Sequence, residues 1–318
     1  MSKKESSLKF ELTKGNPIIT EKANQKTAKQ YIAHIDRFCQ WAAEQGIKRR
    51  SQLLRKYGDM ETAVQAWGDY LTENYAASTV HTYLSGVCYA AEISLARIQK
   101  PKRITSENVK SRSDNGRNRQ GEQEAASGRF DSLIAFQKRV GIRRDELARL
   151  TTDDFVIDES GIPCIFVRKG KGGKRQLQAL LPSDVETIRA YFTDRQPGER
   201  LFSPEIMQNH IDLHILRKSH AKTCYQYYAS LGDADRQILR DRLILRYKAY
   251  AKNPRKVNVW ISQLDRDKGR YRLRGKSADY ARQHDLPLEY DRLALMCVSV
   301  FHLSHWRFDV TANNYMNV

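Results

Sequence analysis

Residues 97–120, RIQKPKRITSENVKSRSDNGRNRQ, carry no apolar repeat of helical or strand period, and this gap restricts the fold more than any other feature. Its basic residues are Arg97, Lys100, Lys102, Arg103, Lys110, Arg112, Arg117 and Arg119, against only Glu107 and Asp114. Pro101, Gly116 and the serines and asparagines between them are turn formers. A stretch of this kind buries nothing, so the chain must build a separate core on each side of it. With 318 residues it is long enough for two. The expected organisation is a flexible arm over 1–21, a helical domain over 22–98, a basic linker over 99–121 and a second domain over 122–318.

Before the gap the apolar period is helical. Tyr31, Ile35, Phe38, Cys39 and Ala42 fall on one helix face, as do Ala63, Ala66, Trp67, Tyr70 and Leu71. A further helix is predicted to open at Ser78 as N-cap and to run through Val80, Tyr83, Leu84, Val87 and Ala91. After the gap, helical segments surround one β element. Phe155–Ile157, Pro163–Arg168 and Gln176–Leu181 read as strands, with KGKGGK as a glycine-rich turn. Ser183 and Glu186 read as a capping box. The expected class is therefore mainly α with a small antiparallel β-sheet (α+β).

The formal net charge is +18, which suits an anionic partner. No apolar run approaches the roughly 20 residues of a membrane span, and the start lacks the pattern of a signal peptide. Nucleic acid is therefore preferred to a membrane surface as the partner. The five cysteines are scattered without a CxxC pair, which argues against a disulfide framework or a thiolate zinc site and fits a reducing cytoplasm.

Five short pieces carry reactive side chains: GIRRDELARL (141–150), VRKGKGGKRQ (167–176), HILR (214–217), HLSHWRF (302–308) and ANNYM (312–316). Arginines, a turn lysine, histidines and a late tyrosine suit attack on a phosphodiester. Two arginines can hold the non-bridging oxygens with permanently charged, fork-shaped donors. A free tyrosine, with a pKa of about 10, is a weak nucleophile until cations and a base are placed beside it.

In this order the pieces resemble the tyrosine recombinase (integrase) family. The resemblance implies a site-specific DNA recombinase with a two-domain C-clamp that cuts and rejoins DNA through a covalent 3′-phosphotyrosine, as in integration or excision of a mobile element or phage. It implies catalytic roles for Arg143, Lys171, His214, Arg217, His305 and Tyr315: the arginines on the phosphate, Lys171 protonating the leaving 5′-oxygen, His214 as candidate base, His305 donating to the phosphate and Tyr315 attacking. ASTVHTYLSGVCYAAE is similar to the family's core-binding helix, with Thr79 and Thr82 near DNA; Lys100, Lys102, Arg103, Arg112, Lys169 and Lys174 are the further DNA-binding candidates. The implied partners are double-stranded DNA with specific sites, a homotetramer on that DNA and an accessory DNA-bending or directionality protein. The implied location is the bacterial cytoplasm, at the nucleoid. No cofactor and no metal is expected.

Several features depart from the family's pattern. His214 and His305 are unusually far apart, with residues 229–291 reading as a basic, partly helical insertion that contacts DNA, binds another subunit or is a solvated elaboration. KSHAKTCY follows Arg217, His305 and Tyr315 are one residue further apart than is commonest, and little follows Tyr315. The alternatives are a sequence-specific DNA-binding protein with a disabled catalytic site, a relaxing topoisomerase, and a metal-dependent nuclease built on His210, Asp212, His214 and His220.

Overall fold

The computed structural model of the chain describes residues 6–21, 25–102, 118–170, 173–250 and 253–316. It divides into two compact units, Met1–Ile104 and Thr105–Val318. The class is mainly α with small antiparallel sheets. Among the described residues no helix is long and apolar enough to cross a membrane.

The N-terminal unit is helical: α1 (Leu8–Leu12), α2 (Pro17–Thr20), α3 (Gln25–Glu44), α4 (Arg50–Tyr57), α5 (Met60–Asn74) and α6 (Ala77–Ala90). The predicted faces of α3 and α5 turn inward, and Ile35, Phe38, Ala42, Ala63, Trp67 and Leu71 are buried with Val80 and Leu84 of α6. Two expectations need correction. Residues 6–21 are not a loose arm, because Leu8, Leu12 and Ile19 are buried in this core. Ser7 and Asn16 cap the two short helices there, and the Asn16 amide donates to the Ala90 carbonyl at 2.8 Å. One helical turn holds too few apolar positions to show a repeat in a polar stretch. In addition, α6 opens after Ala76 with no side-chain cap, two residues earlier than an N-cap at Ser78 predicts.

The C-terminal unit begins with α7 (Arg119–Ala126), so the expected linker ends earlier than residue 121. It continues through α8 (Asp131–Val140), α9 (Arg144–Leu147), β1 (Phe155–Ile157), β2 (Pro163–Val167), β3 (Gln176–Ala179), α10 (Val185–Arg189), α11 (Pro204–Met207) and α12 (Leu213–Ala229). The three strands form one antiparallel sheet with Val156 opposite Cys164 and Ile165 opposite Gln178. β3 stops two residues short of Leu181. Pro182 then opens a 3₁₀ turn whose last residue, Asp184, takes the N-cap position of α10, which replaces the predicted Ser183–Glu186 box.

The chain then forms α13 (Asp233–Tyr250), α14 (Pro254–Asp265), β4 (Arg270–Arg272), α15 (Gly275–Gln283), β5 (Glu289–Asp291), α16 (Arg292–Cys297) and α17 (Phe308–Thr311), with β4 and β5 paired antiparallel. The 229–291 segment is not merely a solvated elaboration. Leu243, Trp260, Leu264, Leu273, Ala281 and Tyr290 are buried in the same cluster as Ala312, Tyr315 and Met316.

This unit has a second apolar cluster, which includes Phe136, Ile142, Leu147, Ile165 and Ile188. The helix α12 serves both, with Leu213 in that cluster and Ala221, Cys224 and Tyr228 in the first. Arg217 lies between these positions on the helix. The seam between two cores is where the candidate site forms.

Candidate active site

The helix α8 ends at Gly141, whose φ of 62° is left-handed. A Cβ added there would lie 2.5 Å from Cδ2 of His220, so the position needs glycine for conformation and for space. The carbonyls around this turn are taken in sequence by three buried side chains. Gln178 donates to Val140 O at 2.6 Å, Arg217 Nη1 donates to Gly141 O, and Gln137 donates to Ile142 O at 2.6 Å and to Leu213 O at 3.1 Å. Arg143 follows at once as N-cap of α9. The buried carboxylate of Glu146 accepts from the Arg143 backbone N–H at 3.2 Å and from its Nη1 at 2.8 Å. Held at both ends in this way, the guanidinium has little freedom left.

Asp212 caps α12 by accepting from the backbone N–H groups of His214, at 3.0 Å, and Ile215, at 3.2 Å. Arg217 is 1% exposed. Its Nη2 donates to Leu303 O at 2.9 Å, an acceptor shared with Arg143 Nη2 at 3.5 Å, and its Nε donates to the Tyr315 hydroxyl at 3.5 Å. Among the described residues, its hydrogen bonds end on uncharged oxygens. Burial pushes its pKa down; Tyr315 opposes that and the neighbouring Arg143 adds to it. Arginine nonetheless stays protonated in proteins. A buried cation hydrogen-bonded only to neutral oxygens is costly, and an arriving anion relieves that cost.

The third wall is a strained turn. Ser304 and Trp306 both have positive φ, 52° and 59°. Ser299 spans the turn, its carbonyl accepting from His305 N at 2.9 Å and its hydroxyl from Arg307 N at 2.8 Å. A π-helical turn over Ala312–Met316 then presents Tyr315, which is 4% exposed. His305 Nε2 is 3.0 Å from the Tyr315 hydroxyl. The His214 ring stands edge-on to the Tyr315 ring, with centroids 5.8 Å apart. His214 is solvent-exposed as a whole residue, yet protein atoms crowd its ring. That desolvation, then the charges of Arg217 and Lys218, holds its pKa below the ordinary histidine value. Arg143, Arg144, Asp212, His214 and Arg217 line an open cavity of about 460 Å³.

Five of the predicted catalytic residues, Arg143, His214, Arg217, His305 and Tyr315, therefore converge, although they are up to 172 positions apart in sequence. Lys171 lies outside the described residues, as do Arg103 and Arg112. His305 Nε2 is within hydrogen-bond reach of the tyrosine hydroxyl, while His214 meets Tyr315 ring to ring. Lys174 is exposed and donates to the Tyr250 hydroxyl at 2.9 Å, and Lys169 is exposed. Thr79 and Thr82 are half-buried on α6, with the Thr82 hydroxyl donating to Ser78 O at 2.8 Å. Lys100 donates to Leu95 O and Ile98 O, at 2.7 and 3.0 Å, and Lys102 is exposed.

Arg144, the neighbour that could have replaced Arg143, is bound by the carbonyls of Met207, Asn209 and Ile211. His210 pairs with Glu124 at 3.0 Å. Among the described residues the metal-capable grouping is instead His220, Cys224 and His302, so the His210–Asp212–His214–His220 set does not assemble. Gln137, Gln178 and Ser299 went unread in the sequence. Gln137 left a signal: it interrupts the apolar face of Leu133, Phe136 and Val140 one turn before the glycine.

No model of a protein family matches this chain, and no curated protein does. Among solved structures, one described as a crystal structure of XerA recombinase aligns with 70% of this chain and 85% of its own length. The identity is 18% and the TM-score 0.25, too slight a likeness to assign an activity.

Proposed function

We propose that this chain is a tyrosine-type, site-specific DNA recombinase that cleaves and rejoins strands through a 3′-phosphotyrosine on Tyr315. One observation carries the reading. The Tyr315 hydroxyl lies 3.0 Å from His305 Nε2 and 3.5 Å from Arg217 Nε, while Arg217 and Arg143 reach the same Leu303 carbonyl. Two fixed guanidinium groups, a histidine and a hydroxyl directed at one small region suit a phosphodiester. They suit an uncharged substrate less well, because the nearby Glu146 carboxylate is already engaged by Arg143 and offsets the buried charge of Arg217 only in part.

In this reading the scissile phosphate enters the cavity and its non-bridging oxygens meet Arg143 and Arg217. His305 accepts the phenolic proton as Tyr315 Oη bonds to phosphorus. The P–O5′ bond breaks, and the 5′-oxygen leaves as a hydroxyl after taking a proton; Lys171 is assigned that donation from the sequence resemblance alone. The phosphotyrosine retains the energy of the broken ester, so a 5′-hydroxyl from another strand reverses the step. Preorganised positive charge is the main source of acceleration, because it is in place before charge builds on the phosphate. His214, whose pKa burial and then Arg217 hold below the ordinary histidine value, is assigned to the phosphate side.

The N-terminal unit is assigned to DNA binding through α6 and the basic residues after it. Assembly as four copies on two sites, an accessory DNA-bending protein, integration or excision of a mobile element, and action in the bacterial cytoplasm belong to the same proposal. Its test is a nicked suicide duplex carrying the cognate site. A protein–DNA adduct should form without added magnesium and vanish with Tyr315→Phe. Equal adduct from the Phe variant refutes the reading, and tight DNA binding with no adduct from either favours a DNA-binding protein with a disabled site.

A further inference from the structure

We propose that His220, Cys224 and His302 form a buried binding site for one d10 metal ion, Zn2+ or Cu+, inside the C-terminal unit. The three ligand atoms lie within 4.8 Å of one another, and all three residues are buried. His220 and Cys224 are one helical turn apart on α12, the i, i+4 spacing that aims two side chains at one point. His302 comes from the end of the π-helical segment Val298–His302.

His220 Nε2 is 3.2 Å from His302 Nδ1, and Cys224 Sγ stands beside the His220 ring, 3.4 Å from Nε2 and 3.8 Å from Nδ1, so the sulfur reaches a shared ion by rotation of the Cys224 side chain. Two nitrogens at about 2.05 Å and a sulfur at about 2.3 Å from one tetrahedral centre sit about 3.3 to 3.6 Å apart. The outward-facing nitrogens are held as those of metal-bound histidines usually are. His302 Nε2 is 2.8 Å from the Tyr228 hydroxyl, and His220 has a hydrogen bond with the backbone of Lys138. With those outer nitrogens protonated, each remaining lone pair is left for the ion.

One thiolate and two imidazoles define the class of ion. Oxygen-seeking Mg2+ and Ca2+ are excluded, and Zn2+ and Cu+ share the preference for sulfur and nitrogen. On binding, the Cys224 thiol releases its proton to solvent and its sulfur bonds the metal. With Cu+ the three-ligand site carries no net charge, while Zn2+ leaves one positive charge and an open fourth position. The ion takes no part in phosphate chemistry. It would fasten α12, which carries His214 and Arg217, to the residue preceding Leu303, whose carbonyl both arginines use.

The full-length chain, made metal-free by chelation under reducing conditions, is titrated with Co2+ as a zinc probe, with Zn2+ in competition and, separately, with Cu+. One equivalent of cobalt is expected to give thiolate-to-cobalt charge-transfer absorption with intense tetrahedral bands, and one equivalent of zinc should abolish them. Saturation by Cu+ alone at one equivalent also supports the site and assigns it to copper. Cys224→Ser should remove the charge-transfer band, while Cys39→Ser leaves it intact. No stoichiometric uptake of any of the three metals by the wild-type chain, or uptake indifferent to Cys224→Ser, overturns the proposal and leaves the 3.2 Å contact as a plain N–H···N hydrogen bond.

Discussion

At the centre of the N-terminal unit Phe38 and Trp67 meet edge to face, with ring centroids 5.3 Å apart. At the centre of the C-terminal unit the corresponding volume is taken by a guanidinium, and Arg217 is among the largest fully buried side chains of the chain. The contrast extends outward. Among the described residues the N-terminal unit buries only Thr13, Asn16 and His34 as polar side chains, whereas the C-terminal unit buries Gln137, Glu146, Gln178, Arg217, Lys218, His220, Ser299 and His302 along its seam. An apolar core needs only volume and pattern. A polar seam loses free energy wherever one partner is missing, so it survives where it does something else as well.

This difference can be broken or sharpened by substitution. Arg217→Lys should have the largest effect. A single ammonium cannot satisfy the Gly141 and Leu303 carbonyls and also hold a phosphate, so single-turnover adduct formation should fall about 100- to 1000-fold. A loss below about 10-fold would mean the guanidinium is structural. Next is Gly141→Ala. The strained φ and the collision with His220 should lower stability by about 2 to 4 kcal/mol in denaturant titration, and a neutral result would show that the turn relaxes freely. In the other unit Phe38→Leu should lower stability by about 1 to 2 kcal/mol, yet leave the adduct rate at saturating DNA unchanged. A matching loss of rate would show that the two regions are not functionally separate.

The smallest effect concerns His214. Crowding and the charges of Arg217, Lys218 and Arg143 disfavour its cation, with Asp212 opposing them. The folded state thus prefers the neutral ring. Its contribution to stability is present above the free histidine value of about 6.5 and is lost as pH falls below it. The NMR titration midpoint of His214 should lie under 6.5 in the free protein, and a midpoint at or above that value contradicts the electrostatics described.

The residue types that gather around Arg217 were legible because arginine, histidine and tyrosine are side chains with few chemical substitutes. The three-stranded sheet was legible from alternation and turn chemistry. What the sequence did not reveal is relational. Nothing local shows that Gln178 on a strand reaches the carbonyl of Val140, or that Trp260 and Tyr290 pack in the same cluster as Tyr315. The 229–291 segment read as a basic insertion, helical at its start, and its burial stayed hidden because the inward apolar residues come from several elements, each too short or too mixed to show a clear period. The same holds for residues 6–21 of the expected arm over 1–21, whose buried Leu8, Leu12 and Ile19 come from two short helices. Which of His214 and His305 lies nearer the Tyr315 hydroxyl is a matter of distance, which spacing alone does not give.

The most direct measurement is to digest the trapped protein–DNA adduct and locate the nucleotide on the peptide map. The nucleotide should be found on Tyr315 alone among the chain's 16 tyrosines. A nucleotide attached to any other residue would mean that the cations around Arg217 are gathered for something other than attack by this hydroxyl.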